Sequence, residues 1–240
     1  MGVNNIVSDV HKLEAAKSAM QELDISTGAP LRIGLGTGST AKHFVDLLGA
    51  RVAEGFECIC VPTSEQTAEQ ARSLRIPLSD LDHLDQLDIT IDGTDEITAD
   101  LSLIKGGGGA LLREKIVAAA SKKMIVIADD SKSVETLGAF PLPIEVNKFG
   151  LMATKNAIVK VAGALKLSGD LLLRKKADET PFITDEGHLI LDACFGRISN
   201  PKELSNELLQ VPGVVQHGLF LNLCQNAYIA GANGVIKLSR

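Results

Sequence analysis

Short apolar runs alternate with helix-like patterns through the first half of the chain. The apolar runs predict strands at 31–35, 57–61, 87–91 and 123–128. The spacing of apolar positions predicts helices at 9–23, 41–48, 65–74 and 110–121. Strands that alternate with helices are typical of parallel βαβ units, and the MIVIA run at 124–128 suits a strand covered on both faces. We therefore predict an α/β protein with a Rossmann-like open, mostly parallel sheet.

The order of the predicted elements changes near Pro141 and Pro143. From there the pattern predicts strand, helix, strand, strand, helix and strand, with the strands at 142–146, 170–175, 188–194 and 213–217. The first of these helices covers 150–165. The second begins with Asn200 as N-cap, followed by Pro201 and, in the third helical position, Glu203. This order is the split βαβ, or ferredoxin-like, arrangement.

Two strand-like segments near the end of the chain are predicted to return to the first sheet. They cover 218–223 and 228–238, and a turn at 231–234 breaks the second one. We therefore expect a Rossmann-like domain formed by 1–141 and 218–240. An inserted, smaller ferredoxin-like α+β domain is expected over 142–217.

The composition is that of an ordinary globular protein and narrows the choice of partners. The 240 residues are 45% apolar and 22% charged, with a net charge of −6, no Trp and one Tyr. Since the chain has neither a basic block nor an aromatic platform, we expect no nucleic-acid partner. No apolar stretch reaches the roughly 18 to 20 residues of a membrane helix, and we find no secretory signal, so we expect no membrane partner. The cysteines match no zinc or CxxC pattern, which favours reduced thiols in a cytoplasmic protein; they are Cys58, Cys60, Cys194 and Cys224.

The segment 34–40 (GLGTGST) lies between a predicted strand and a predicted helix. Its glycines allow the backbone to approach a ligand closely, and amides at a helix N-terminus favour an anion such as a phosphate. A dinucleotide site fits poorly, because Ser39 stands at the third glycine position and Glu57 opens the second strand instead of closing it. Without Gly-Lys-Ser/Thr, a P-loop is excluded. A tight strand-to-helix turn that binds nothing stays open as the alternative.

Three carboxylates follow the third predicted strand in the segment 92–97 (DGTDEI). Ligands of open α/β sheets bind beyond the carboxyl ends of the strands. Carboxylates crowded there repel one another, which prepares one of them to move a proton. A divalent-metal site and a solvated acidic turn are equally consistent with these residues.

A third candidate is the segment 105–115 (KGGGGALLREK). Four consecutive glycines are costly to order, which indicates either a backbone that lies against a ligand or a hinge. Glu114 falls about one turn inside the next helix, where a plain surface residue is the simpler interpretation. If the three loops meet at one sheet edge, they supply anion donors, carboxylates and an amine. An aldose–ketose isomerase needs these parts, because it moves a proton between two carbons and stabilises an enediolate oxygen.

Taken together, GTGSTA, DGTDEI and KGGGGALLREK, in this order and with these gaps, resemble type A ribose-5-phosphate isomerases. The segments 130–132 (DSK) and 181–185 (PFITD) are also similar to that family, and the resemblance runs from the opening helix to about residue 220. GGGG stands where the family often has GGGA, and DGTD where it often has DGAD. The family's fold agrees with the prediction above. Its members are usually dimers or tetramers, so the resemblance implies a homodimer or homotetramer.

The resemblance implies interconversion of ribose 5-phosphate and ribulose 5-phosphate through an enediolate, with no metal and no cofactor. It assigns the proton transfer between carbons to Glu114 and the stabilisation of the enediolate oxygen to Lys105. It assigns hydroxyl protons and ring opening to Asp92 and Asp95. The substrate-binding positions that it implies are Thr37, Gly38, Ser39, Thr40, Asp92, Gly93, Thr94, Asp95, Lys105, Gly106, Gly107, Gly108 and Lys132. An N-terminal lysine also belongs to the family's site; Lys17 is the best match and Lys12 its rival.

Two other classes of protein share parts of this pattern. A lactonase or an amino-sugar-phosphate deaminase has the same broad fold, but a deaminase is expected to use a catalytic His. None of the five histidines lies in the three motifs; they are His11, His43, His83, His188 and His217. A sugar-phosphate-sensing regulator needs a DNA-binding module, for which the opening helix leaves no room, and sensing does not require an intact set of acid, base and amine.

Overall fold

The structure, a computed structural model, describes residues 3–23 and 29–240. Within these ranges the α-helices are α1 (Val3–Met20), α2 (Ser39–Ala53), α3 (Glu65–Ser73), α4 (Leu111–Ala119), α5 (Leu151–Ala164) and α6 (Pro201–Leu209). The strands are β1 (Leu31–Leu35), β2 (Cys58–Pro62), β3 (Ile89–Asp92), β4 (Glu96–Ile97), β5 (Leu103–Ile104), β6 (Met124–Asp129), β7 (Leu142–Val146), β8 (Leu171–Leu173), β9 (Leu189–Ala193), β10 (Val214–His217), β11 (Leu219–Phe220), β12 (Asn226–Gly231) and β13 (Gly234–Ser239). None of the helices in these ranges has the length and apolar character that crossing a bilayer requires.

The chain forms two compact units. The first contains Met1–Thr94, Arg113–Ser133 and Asn222–Arg240, and the second contains Asp95–Leu112 and Val134–Leu221.

The first unit is built on an open sheet. Its strand order is β13-β12-β6-β3-β1-β2 over the described residues, with every neighbouring pair parallel except β12 and β13. All six residues of β6 are buried, as the MIVIA run predicts. Phe44 and Leu48 of α2 pack in one core with Ile33 of β1 and Ile91 of β3. The predicted Rossmann-like, mostly parallel sheet is therefore confirmed.

The second unit contains the predicted ferredoxin-like arrangement. Its four-stranded sheet, in the part of the chain that is described, has the order β10-β7-β9-β8 with antiparallel pairs. Ile144 of β7, Ile158 of α5 and Leu204 of α6 share one core. Helix α6 begins as predicted, because the side chain of Asn200 accepts a hydrogen bond from the backbone N–H of Glu203 at 3.3 Å.

The predicted return of 218–223 to the first sheet is wrong, because β11 pairs with β5 in the second unit. The result is a small sheet with the order β11-β5-β4, in which β4 and β5 have no counterpart in the prediction. Its strands are two residues long, too short for an alternating pattern to show in the sequence. Because β5 pairs with β11, residues 95–112 belong to the second unit. That unit is larger than the expected insertion at 142–217, and the domain bounds stay a prediction.

Glu22, two residues beyond α1, ties this helix to the sheet of the first unit. Its carboxylate accepts hydrogen bonds from Lys123 Nζ at 2.6 Å, from Lys237 Nζ at 2.5 Å and from the Tyr228 hydroxyl. These donors, Lys123 foremost, lower the pKa of Glu22 from 4.5 to about 2. The side chain is 17% exposed, so water screens these bonds only in part.

We expect Glu22→Gln to lower the free energy of unfolding at pH 7 by roughly 2 kcal/mol, from about 1.4 kcal/mol per pKa unit with an allowance for screening. The lowered pKa stabilises the fold above pH 4.5, and this stabilisation is lost as the pH falls from 4.5 towards 2. Urea unfolding of wild type and variant at several pH values measures the difference, which should shrink over that range. The exposed Glu207→Gln is the control. An equal difference at pH 7 and pH 3 would contradict the prediction.

Candidate active site

Helix α2 begins at Ser39, within the first glycine motif. Gly38 is its N-cap with a φ of 113°, a conformation that glycine adopts without strain. The cap makes no side-chain hydrogen bond, and it therefore satisfies none of the N–H groups of the first turn. Gly38 and Ser39 are exposed, whereas Thr37 and Thr40 are buried. An exposed helix N-terminus of this kind is suited to an anion.

Asp92 ends β3 and lies against this loop. Its Oδ1 accepts hydrogen bonds from the backbone N–H of Thr37 at 3.1 Å and from that of Gly93 at 2.7 Å. The loop passes so closely that a Cβ on Gly36 would overlap the Asp92 carboxyl group. Asp92 is fully buried. The first two motifs therefore lie side by side at the carboxyl ends of β1 and β3.

The Thr37 hydroxyl belongs to a buried network that the sequence analysis did not predict. It lies 2.8 Å from the hydroxyl oxygens of Thr63 and Ser64, and 3.2 Å from that of Thr67. Thr63 directly follows β2, and Ser64 caps α3 by accepting a hydrogen bond from the N–H of Thr67. The available signal was a Thr-Ser pair between an apolar strand and a helix. This hydroxyl network holds the glycine loop against the carboxyl end of the neighbouring strand, β2.

The second unit holds Asp95, Lys105 and the glycine run. Asp95 Oδ2 accepts a 2.7 Å hydrogen bond from the N–H of Gly107, and a Cβ on Gly107 would crowd the same carboxylate. Lys105 is only 2% exposed, and its ammonium lies 5.5 Å from the centre of the Phe220 ring in a cation–π contact. A buried amine acts strongly on nearby charge because little water screens it.

Glu96, the third carboxylate of the acidic motif, anchors a loop. Its oxygens accept hydrogen bonds from the N–H groups of Gly138 at 2.7 Å and Phe140 at 2.5 Å. Asp92 and Glu96 are both buried, so the interpretation as a solvated acidic turn is wrong. Over residues 3–23 and 29–240, no group of three or more His, Cys, Asp or Glu side chains is placed to hold a metal ion.

Glu114 lies in the first turn of α4 and is 4% exposed. The interpretation of Glu114 as a plain surface residue is therefore wrong. Both of its sequence neighbours are charged. Arg113 forms a 2.9 Å ion pair with Glu65, and burial lowers the pKa of Lys115 to about 7. Burying a carboxyl group costs free energy, and such groups concentrate at functional sites.

The lysines expected near a phosphate have different surroundings. Lys132 ends a short 3-10 turn directly after β6, at the carboxyl edge of the first sheet. Lys17 lies in the last turn of α1, half exposed, with its amine 2.9 Å from the carboxylate of Glu14. Lys12, the rival of Lys17, lies earlier in the same helix and is partly buried. The choice between Lys17 and Lys12 stays open.

A buried carboxylate against a glycine loop, as in the first unit, and a buried lysine, as in the second, are each typical of enzymes that move protons on small anionic substrates. Comparison with known proteins narrows this class. Residues 59–234 match the family described as ribose 5-phosphate isomerase A (phosphoriboisomerase A). A ribose-5-phosphate isomerase A from Brucella suis biovar 1 (strain 1330) is 55% identical over 98% of this chain and 100% of its own length. The chain belongs to the ribose 5-phosphate isomerase A family.

Solved structures agree with this membership. The ribose 5-phosphate isomerase from Plasmodium falciparum has a TM-score of 0.89 and 37% identity, covering 97% of this chain and 99% of that one. A D-ribose-5-phosphate isomerase in complex with phospho-erythronic acid has a TM-score of 0.88 and 35% identity, with the same coverage. Both the predicted fold class and the predicted family are confirmed.

Proposed function

We propose that this protein interconverts D-ribose 5-phosphate and D-ribulose 5-phosphate, the aldose–ketose isomerisation of the non-oxidative pentose phosphate pathway. The observation that carries the proposal is the burial of an acid, an amine and a base within a chain of this family. Asp92, Lys105 and Glu114 are each less than 5% exposed, at 0%, 2% and 4%. Burial strengthens their action on charge that develops during a reaction, because little water screens it.

The proton steps fall to the three carboxylates. Glu114 takes the proton from C2 of the open-chain aldose and returns it to C1, and the product is the ketose. Asp92 and Asp95 carry the hydroxyl protons during ring opening and proton transfer. The backbone bonds from Thr37 and Gly93 to Asp92 hold that carboxylate in one orientation, which favours its role as a fixed proton relay.

The negative charges of the enediolate oxygen and of the phosphate are stabilised by hydrogen-bond donors and cations. Lys105 stabilises the enediolate oxygen. The N-terminus of α2 binds the phosphate through Gly38, Ser39 and Thr40, with Lys132 nearby and either Lys17 or Lys12 as a further cation. Backbone groups of Gly93, Thr94, Gly106, Gly107 and Gly108 line the substrate. No step in this scheme requires a metal or a cofactor.

The cell compartment and the assembly state complete the proposal. We place the enzyme in the cytoplasm, as a homodimer or homotetramer, with the pentose phosphate as its small-molecule partner and with no nucleic-acid or membrane partner. The thiols of the four cysteines, none of them in a disulfide, support a reducing compartment. Light scattering of the purified protein gives the number of subunits.

We expect the purified protein to isomerise ribose 5-phosphate at an undiminished rate in excess chelator, because the proposed groups are carboxylates, an amine and backbone donors. The assay follows ribulose 5-phosphate formation with and without EDTA, and a second arm restores Mg²⁺ or Mn²⁺ in excess. Ribose without the phosphate is the matched control substrate and should react poorly. Inactivity on every pentose phosphate would sink the function, and strict metal dependence would sink the mechanism.

A further inference from the structure

Arg174 follows β8 and links a carboxylate to the glycine run within the second unit. Its Nε and Nη2 donate to the two oxygens of Asp192, at 2.9 and 2.5 Å. Its Nη1 donates to the backbone oxygens of Gly106 at 2.8 Å and Gly107 at 3.1 Å. The Arg174 side chain is 13% exposed. A bidentate pair with a carboxylate fixes the plane of a guanidinium, so the third nitrogen is held in place.

The hydrogen bonds from Arg174 to two carbonyl oxygens also fix the direction of the N–H group in each of the same two peptides. In a trans peptide the C=O and the N–H that follows it point in opposite directions. The Gly106 oxygen is turned towards Arg174, and the N–H of Gly107 in the same peptide donates to Asp95 Oδ2 at 2.7 Å. The Gly107 oxygen is also turned towards Arg174, so the N–H of Gly108 points away from the guanidinium.

The glycine run holds this orientation only in part, through the N–H of Gly109, which donates to the Gly106 oxygen at 2.9 Å. Gly106 and Gly109 have φ values of 103° and 83°, and residues without a Cβ have many alternatives to these conformations. The ring of Phe182 fills the place that a Cβ on Gly109 would take, and the Arg174 guanidinium lies 6.0 Å from the centre of that ring. The N–H of Phe182 donates to the backbone oxygen of Arg174 at 2.9 Å, so the two residues that contact the run are joined to each other.

We propose that Arg174, oriented by Asp192, is a positioning residue for the isomerisation. It holds the peptides 106–107 and 107–108 so that one amide fixes Asp95 and the next is presented to the substrate oxygen. The inference rests on the proposed function, in which Asp95 handles hydroxyl protons. It adds two residues that lie outside all three sequence motifs.

The test compares Arg174→Ala and Arg174→Lys with Lys175→Met, which removes the neighbouring exposed amine that pairs with Glu179. Misplacing groups at a reacting centre by about 1 Å costs on the order of 100-fold. We expect kcat to fall roughly 10- to 100-fold in both Arg174 variants, with KM within about threefold of wild type. Low millimolar guanidinium should restore part of the kcat of Arg174→Ala, and it should leave the kcat of Lys175→Met unchanged. Wild-type kcat in Arg174→Lys, or no rescue of Arg174→Ala, would overturn the proposal.

A second measurement separates this proposal from the function it rests on. Hydrogen exchange of the Gly107 amide reports the Asp95 bond directly, and we expect it to speed up at least tenfold in Arg174→Ala, or in Arg174→Lys if the alanine variant does not fold. Unchanged exchange overturns the positioning role even if kcat falls. If the wild-type protein does not isomerise ribose 5-phosphate, the proposed function fails, whatever the exchange data show.

Discussion

Glu114→Gln is expected to lower kcat for ribose 5-phosphate by about 10²- to 10⁴-fold, the usual contribution of a general base. Gln has nearly the same shape as Glu but does not accept the C2 proton at neutral pH. Since the side chain is buried, the exchange of a carboxylate for an amide of equal size should preserve the packing of α4. KM should change little, because the amide still occupies the same volume beside the substrate. Steady-state kinetics and a thermal melt measure both effects.

Isotope exchange sharpens this test. During turnover in deuterated water, a base that shares its proton with solvent places deuterium on the transferred position. Glu114→Gln should lose this exchange together with turnover, whereas the exposed Glu207→Gln should keep both. A Glu114→Gln variant with near-normal kcat would show that another group is the base.

Lys105→Met is expected to lower kcat by about 10²- to 10³-fold, the range found when one donor to a developing oxyanion is removed. The enediolate oxygen carries more negative charge than the substrate carbonyl, so the ammonium stabilises the intermediate more than the ground state. Met keeps an apolar stem of similar length against Phe220.

The control for this prediction is Lys202→Met, which removes an exposed amine from α6. It should leave kcat and KM at wild-type values. Wild-type kcat in Lys105→Met would contradict the electrostatic role, and a rise in KM alone would show that Lys105 binds substrate and transition state equally.

The fold was predictable where one physical signal is strong and local. The unbroken apolar run of β6 and the Asn200 cap of α6 both depend on neighbours within a few residues, and both are confirmed. Strands β4 and β5 were missed because two residues carry no period. β4 pairs with β5, and β5 pairs with β11, which lies more than a hundred residues further along the chain.

The candidate site was likewise predictable only where the signal is local in the sequence. The glycine and carboxylate motifs identified the loop that contacts Asp92, but not which carboxylate turns to anchor another loop. Glu96 makes that turn because Gly138 and Phe140 offer it two amides, a contact that spacing does not reveal. Glu114 looked like a surface residue by helical position, and only the family resemblance indicated its role. Arg174 lies 68 residues from the glycine it holds, so its contribution is purely tertiary.

The pairing of β6 with β12 has a consequence for the newly made chain. β12 covers one edge of β6, yet residues 130–225 are synthesised between the two strands. At about 5 to 20 residues per second, this interval lasts roughly 5 to 20 seconds. During that time a strand with five consecutive apolar residues presents unpaired backbone groups to other chains, which is the geometry that promotes aggregation. The length of the inserted segment therefore sets how long each nascent chain needs protection.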